Sequence, residues 1–328
     1  MPTNRQRAII ASAETKALLP EVPQRSGTIP TSYFYPYTEP LPPLPPNLRQ
    51  RTLRTAVIED LEPLDVAIHW QNYSFSKDDP TSAFPFGGGD YVSSSSAPCG
   101  HRAPPVHFRT IIDGGQTNRV LVLNTANEKK AGGEWDGGIL TLEEGFARRS
   151  NLVQALNCTD PRTPAVQTYY PLPQTGAVYS PSVVVFREGF KGGYTIWGDD
   201  EWKVVSVVSA PPVRRPKTDE TGMKYSFDEE KNLQRDKMKS ILRVAALNGH
   251  TNLVLGGFGS CGPEGSGSGV YRNPVRDVCL LWKELLESEE FVGWFANIVF
   301  ALAGDSGGSW ATEDKDCAKE FNAFFGPG

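Results

Sequence analysis

"RVLVLNTANEKKAGGEWDGGILTLEEGFARRSNL", residues 119–152, is the stretch on which the fold turns. It opens with a short apolar run, the pattern of a buried strand. It closes on "TLEEGFARRSNLVQALN" (141–157), with Leu142, Phe146, Leu152, Val153 and Leu156 spaced for one face of a helix. Between them, four glycines crowd together with Glu134 and Asp136, and the adjacent carboxylates Glu143 and Glu144 follow. A solvated loop has this composition. So does a site where backbone lies flat against a ligand while carboxylates act on it.

The same alternation continues downstream. "SVVVFR" (182–187) and "KVVSVVSA" (203–210) read as strands. "EEKNLQRDKMKSILRVAALNGH" (229–250) reads as a long helix with Leu233, Met238, Ile241, Leu242 and Ala245 inward. "TNLVLGGFG" (251–259) is a strand ending in glycines. "PVRDVCLLWKELLE" (274–287) is a helix with Pro274 near its first turn, and "FANIVFAL" (295–302) is a last strand. Strands alternating with helices predict an α/β layered domain with a largely parallel sheet.

Upstream, residues 1–50 read as a Pro-rich accessory arm, and residues 51–328 as the main domain. "IPTSYFYPYTEPLPPLPPNLRQ" (29–50) predicts a polyproline or extended segment that wraps the domain through Tyr33, Phe34 and Tyr35 or binds a partner. With no catalytic constellation in it, the arm is expected to be dispensable for catalysis. "FPFGGGDYVSSSSAPCGHRAPP" (84–105) is a loop by composition.

The 328 residues are 39% hydrophobic and 22% charged, which suits a globular chain with a real core. A net charge of -5 gives no basic face for nucleic acid, and no apolar run is long enough to span a bilayer. The five cysteines lie far apart with no CxxC pair, so reduced thiols in a cytoplasmic or nuclear protein are the expectation. Cys99, His101 and His107 are spaced poorly for a metal cluster, and no metal or cofactor is expected.

Two glycine-rich loops follow strands. The first is Asn124–Gly138. The second is "GGFGSCGPEGSGSGVYRNP" (256–274). In open α/β sheets ligands sit beyond the carboxyl ends of strands, and glycine backbone can cradle phosphate oxygens there. The second loop contains GxGxxG as Gly257, Gly259 and Gly262. A dinucleotide-binding reading is weakened because no helix begins at the third glycine and "FANIVFALAG" carries no acidic residue.

"VLVLNTANEKKAGGEWDGGILTLEEGFARRSNL" (120–152) resembles the signature of the microbial-type poly(ADP-ribose) glycohydrolase catalytic domain, a branch of the macrodomains. In order along the chain, "VYSPSVVVFR" (178–187), "VVSVVSAPP" (204–212), "VAALNGHTNLVLGGFG" (244–259) and "GVYRNP" (269–274) resemble further motifs of that family. The pattern departs at Glu134, where the family has a third glycine, at Leu142, where it has glutamine, and at Tyr271, where it has phenylalanine.

The resemblance implies a macrodomain-like three-layer α/β/α fold with a central mixed, largely parallel sheet. It implies ADP-ribose as product ligand and ADP-ribosylated proteins as substrates, with no nucleic acid or membrane partner. Glu144 would be the acid/base and Glu143 would bind and orient ribose hydroxyls. Asn127, Gly132 and Gly133 would meet the distal ribose. Gly257, Phe258, Gly259, Gly262, Gly267, Gly269 and Val270 would hold the diphosphate, with Tyr271 near the ribose.

Cleaving the anomeric bond passes through an oxocarbenium-like state that a carboxylate stabilises. Glu134 and Asp136 add negative charge beside the sugar. A guanidinium leaving group would welcome it, so the reading leans toward arginine-linked mono-ADP-ribose. The alternatives are a poly(ADP-ribose) glycohydrolase and a non-catalytic ADP-ribose reader.

Overall fold

The computed structural model describes residues 2–36, 39–73, 120–161, 166–261, 271–302 and 315–326. Seven strands form one sheet in the order β1-β4-β5-β3-β6-β7-β2. They are β1 (Tyr33–Tyr35), β2 (Arg54–Glu59), β3 (Leu121–Thr125), β4 (Ala177–Val185), β5 (Lys203–Ala210), β6 (Asn252–Leu255) and β7 (Asn297–Leu302). The five strands from β5 to β2 are parallel, while β4 runs antiparallel to both β5 and β1.

Side chains alternate across this sheet as the period of a strand dictates. Leu121, Leu123, Leu253, Leu255, Ile298 and Phe300 enter one core. Val120, Val122, Val254, Val299 and Ala301 enter the other. The first face is covered by α7 (Asp228–Leu247), α8 (Val275–Leu286) and α9 (Lys315–Phe325). The second is covered by α4 (Pro63–Tyr73), α5 (Leu142–Arg149) and α6 (Leu152–Asn157). The result is the three-layer arrangement that the alternation and the family resemblance imply.

Three readings change. The helix expected over 141–157 is two helices, α5 and α6. Ser150 and Asn151 leave the helix to meet β4: the Asn151 N–H donates to the Val184 carbonyl at 3.0 Å, and the Val184 N–H to Asn151 Oδ1 at 2.7 Å. Leu142 accordingly does not join the buried face and is 37% exposed.

The amino-terminal stretch is not extended throughout. Asn4–Leu18 is a helix, α1, started by a capping box: Thr3 Oγ1 accepts from the Gln6 N–H, and Gln6 Oε1 from the Thr3 N–H. Short helices α2 (Val22–Ser26) and α3 (Pro46–Arg49) follow, and Tyr33–Tyr35 pairs with β4 as the edge strand β1. Residues 54–73, which show no clear pattern, supply the other edge strand and α4.

The thiols differ from expectation as well: Cys261, in the loop after β6, is joined to Cys317 of α9, with a Cα–Cα distance of 5.8 Å. Long sequence spacing hides a pair that the fold brings together. Among the described residues no helix is long and apolar enough to cross a membrane.

Candidate active site

The loop after β3 closes on α5 through carboxylates. Glu143 is buried, and both its oxygens accept backbone N–H groups: Oε2 from Asn127 at 2.7 Å and Oε1 from Gly132 at 3.2 Å. It is therefore a clamp on the loop before it is anything else. Burial, reinforced by the charge of Glu144, pushes its carboxyl well above the usual range.

Glu144 is also buried. Its Oε1 accepts from the Glu134 N–H at 3.2 Å, and its Oε2 has no hydrogen-bond partner among the described residues. Burial raises its carboxyl too. Backbone N–H groups and the Arg148 cation oppose that rise, and Glu134 adds to it. A buried carboxyl with one oxygen unengaged and a raised affinity for its proton is suited to proton transfer. Gly133 leaves room for it: φ is +58° and a Cβ there would meet Glu144 Oε1.

Asn127 sits in the loop as expected, yet its Oδ1 closes a local turn by accepting from the Lys129 and Lys130 N–H groups at 2.8 and 3.3 Å. Glu134 contributes its backbone to the carboxylate cluster, while its side chain turns outward to Lys130 at 3.5 Å. Asp136 pairs with Lys16 of α1 at 2.9 Å and lies 3.8 Å from Lys130. Neither carboxylate stands as unbalanced negative charge.

The second glycine loop reaches the same sheet edge because β3 and β6 are parallel neighbours. Tyr271 joins the two loops by donating from its hydroxyl to the Ala126 carbonyl at 2.7 Å. Burial and the charges of Glu143, Glu128 and Glu144 raise that phenol. Gly257 and Gly259 lie on this edge, with Gly257 O accepting from the Ser260 N–H and Gly259 O from the Asn273 N–H. The Phe258 ring is buried in the core against Trp282, 6.0 Å between centroids, which leaves its backbone for a ligand. Gly262, Gly267, Gly269 and Val270 lie outside the described residues, as do Cys99, His101 and His107. Among the described residues no cluster of His, Cys, Asp or Glu could hold a metal.

A small cleft opens at the carboxyl ends of β3 and β6. Leu123, Asn124, Leu142, Phe146 and Gly256 line it, with Glu62 and Pro63 from the start of α4. Glu62 is tied to the buried Arg149 at 3.0 Å. The sequence offered no signal for Glu62, Arg148 or Arg149, because these partners come from distant segments.

Residues 106–188 match the family described as microbial-type PARG, catalytic domain. The segment that holds the glycine loop and the glutamate pair carries this family's signature. No curated protein is similar to the chain by sequence comparison. Solved structures are similar over nearly its whole length. One is poly(ADP-ribose) glycohydrolase from Thermomonospora curvata, at 19% identity with a TM-score of 0.56, covering 97% of this chain and 99% of that one. The same protein bound to the inhibitor ADP-HPD matches with a TM-score of 0.56 and 19% identity, covering 96% of this chain and 98% of that one. Poly(ADP-ribose) glycohydrolase from Deinococcus radiodurans in complex with ADP-ribose matches at 20% identity and a TM-score of 0.50, covering 84% and 86%. At such identities the likeness establishes the fold.

Proposed function

We propose that this chain is an ADP-ribosyl glycohydrolase that cleaves the O-glycosidic bond of the distal ribose, with poly(ADP-ribose) as its first substrate. One observation carries the reading: Glu144 is a buried carboxyl with an unengaged oxygen, beside a positive-φ glycine and on the helix whose Leu142 and Phe146 line a cleft. An alkoxide leaves poorly unless it is protonated, and a carboxyl whose hold on its proton is strengthened by burial can supply that proton. As the C1–O bond breaks, the Glu144 proton passes to the leaving oxygen and the ribose becomes oxocarbenium-like. The resulting carboxylate then takes a proton from the water that attacks C1, which restores the acid and releases ADP-ribose. Glu143 holds the loop that frames this reaction through its two backbone bonds.

The lean toward arginine linkages rested on Glu134 and Asp136. Lys16 and Lys130 balance both, so the argument from local charge no longer favours a guanidinium leaving group. A polymer of phosphates meets no unbalanced anion there. The family match and the names of the similar structures point the same way. The test is a hydrolysis panel of poly(ADP-ribose) and of serine-, glutamate- and arginine-linked mono-ADP-ribose, run beside calorimetry with free ADP-ribose. Release from polymer with arginine conjugates intact supports the proposal. Release from arginine conjugates alone replaces it with the arginine reading, and binding without release from any conjugate makes the chain a reader.

A further inference from the structure

Arg148 projects from the last turn of α5 and is completely buried. Its Nη2 donates to the Trp135 carbonyl at 2.7 Å and to the Ile139 carbonyl, spanning the acidic loop from one end to the other. Its Nε donates at 3.1 Å to Ser12 Oγ of α1. A buried guanidinium usually sits against a carboxylate. Among the described residues Arg148 has no ion pair, and carbonyl dipoles meet its charge instead. The acid that lies in its field is Glu144.

The loop it grips is the one that places that acid. Two peptide units before the Trp135 carbonyl, the Gly133–Glu134 peptide provides the Glu134 N–H, which holds Glu144 Oε1 at 3.2 Å. The backbone carbonyl of Arg148 is itself held by Thr15 Oγ1 of α1. The other charged or titratable groups facing Glu144 are Glu143 on its own helix, Glu134 on the loop and the Tyr271 hydroxyl on the second loop.

We propose that Arg148, anchored by Ser12 of α1, is a positioning residue for Glu144: it pins the Trp135 and Ile139 carbonyls and so fixes the Glu134 N–H that seats the acid. The proposal rests on the hydrolase assignment above. A lysine cannot replace it, because one ammonium on a flexible stem lacks the planar fork that grips a carbonyl while bonding Ser12.

The test compares wild type with Arg148→Lys, Arg148→Gln and Ser12→Ala. It measures kcat and KM for ADP-ribose release, the pH profile of kcat, calorimetric binding of ADP-ribose, and the carbon-13 titration of the Glu144 carboxyl. Arg148→Lys keeps the charge and loses the fork, so kcat should fall at least about tenfold with ADP-ribose affinity within about threefold. Ser12→Ala should act in the same direction, more weakly. Arg148→Gln also removes the charge. The Glu144 titration and the alkaline limb of the kcat profile should then move up by about one unit.

Wild-type kcat in Arg148→Lys overturns the proposal. So does a kcat loss matched by an equal loss of ADP-ribose affinity, since that is general collapse of the loop. If the glutamine variant does not fold, the lysine and Ser12 variants decide the matter. A wild type that releases no ADP-ribose from any conjugate sinks the hydrolase assignment instead, and the titration of Glu144 then judges Arg148 by itself.

Discussion

A Cβ placed on Gly133 would stand 2.4 Å from Oε1 of Glu144. The backbone there is left-handed, at φ +58°, so a side chain is excluded both by its own conformation and by the acid it would strike. Gly133→Ala should cost about 1–3 kcal/mol of stability from the backbone alone. It should lower ADP-ribose release more than its melting temperature suggests, because Glu144 must move. Gly137→Ala is the control, since nothing lies within 4 Å of a Cβ at that position. Equal activity in the two variants would remove Gly133 from the site.

Glu144→Gln preserves the acceptor for the Glu134 N–H and removes the proton. Turnover should fall by roughly 100-fold or more, the usual scale of a lost general acid/base. Calorimetry should find ADP-ribose binding retained. A variant with near wild-type turnover would mean that another group carries the proton.

The same side chain predicts a pH dependence of stability. Burial raises the carboxyl of Glu144 in the folded state. The folded protein thus keeps a proton that the unfolded chain releases near pH 4.3. Stability linked to this group is greatest below about pH 4.3 and declines as pH rises through the raised folded value. Glu144→Gln removes the dependence. Its melting temperature relative to wild type should therefore climb as pH is raised from about 4 toward 7. A difference that stays flat over that range would show that Glu144 titrates normally.

Glu134 and Asp136 should matter little. Their side chains are partly exposed and paired with lysines, and exposed pairs contribute about 0–1 kcal/mol. Glu134→Gln and Asp136→Asn should each leave polymer hydrolysis within about threefold of wild type. A selective loss of release from arginine conjugates would restore the argument for an arginine substrate.

The amino-terminal helix should not be dispensable. Ser12 and Thr15 bond Arg148, Lys16 pairs with Asp136, and the buried Arg187 donates to the Ala11 carbonyl at 2.8 Å and to Glu14. Gly138 has no room for a side chain because Arg5 and Ile9 lie against it. Deleting residues 2–18 exposes two buried guanidinium groups and loosens the acidic loop. Activity should fall at least about tenfold, with a lower melting temperature. A truncated chain with full activity would confine α1 to a surface role.

The sequence by itself determined the layered fold and the candidate site. The apolar runs at 119–124, 203–210, 251–255 and 295–302, separated by helical patterns, require a sheet with helices on both faces. Glycines after β3, with Glu143 and Glu144 opening the next helix, mark the site because each of these signals is local. The tertiary structure alone decided what each carboxylate does. Glu143 spends both oxygens on backbone N–H groups, Glu144 keeps one unengaged, and Asp136 turns to a lysine 120 residues earlier in the chain. The same holds for Arg148 under Ser12, for Phe258 in the core and for the Cys261–Cys317 pair. Periodicity reports which face of an element meets the core. It carries no record of which distant group will desolvate, pair with or hold a given side chain, and those partners set its chemistry.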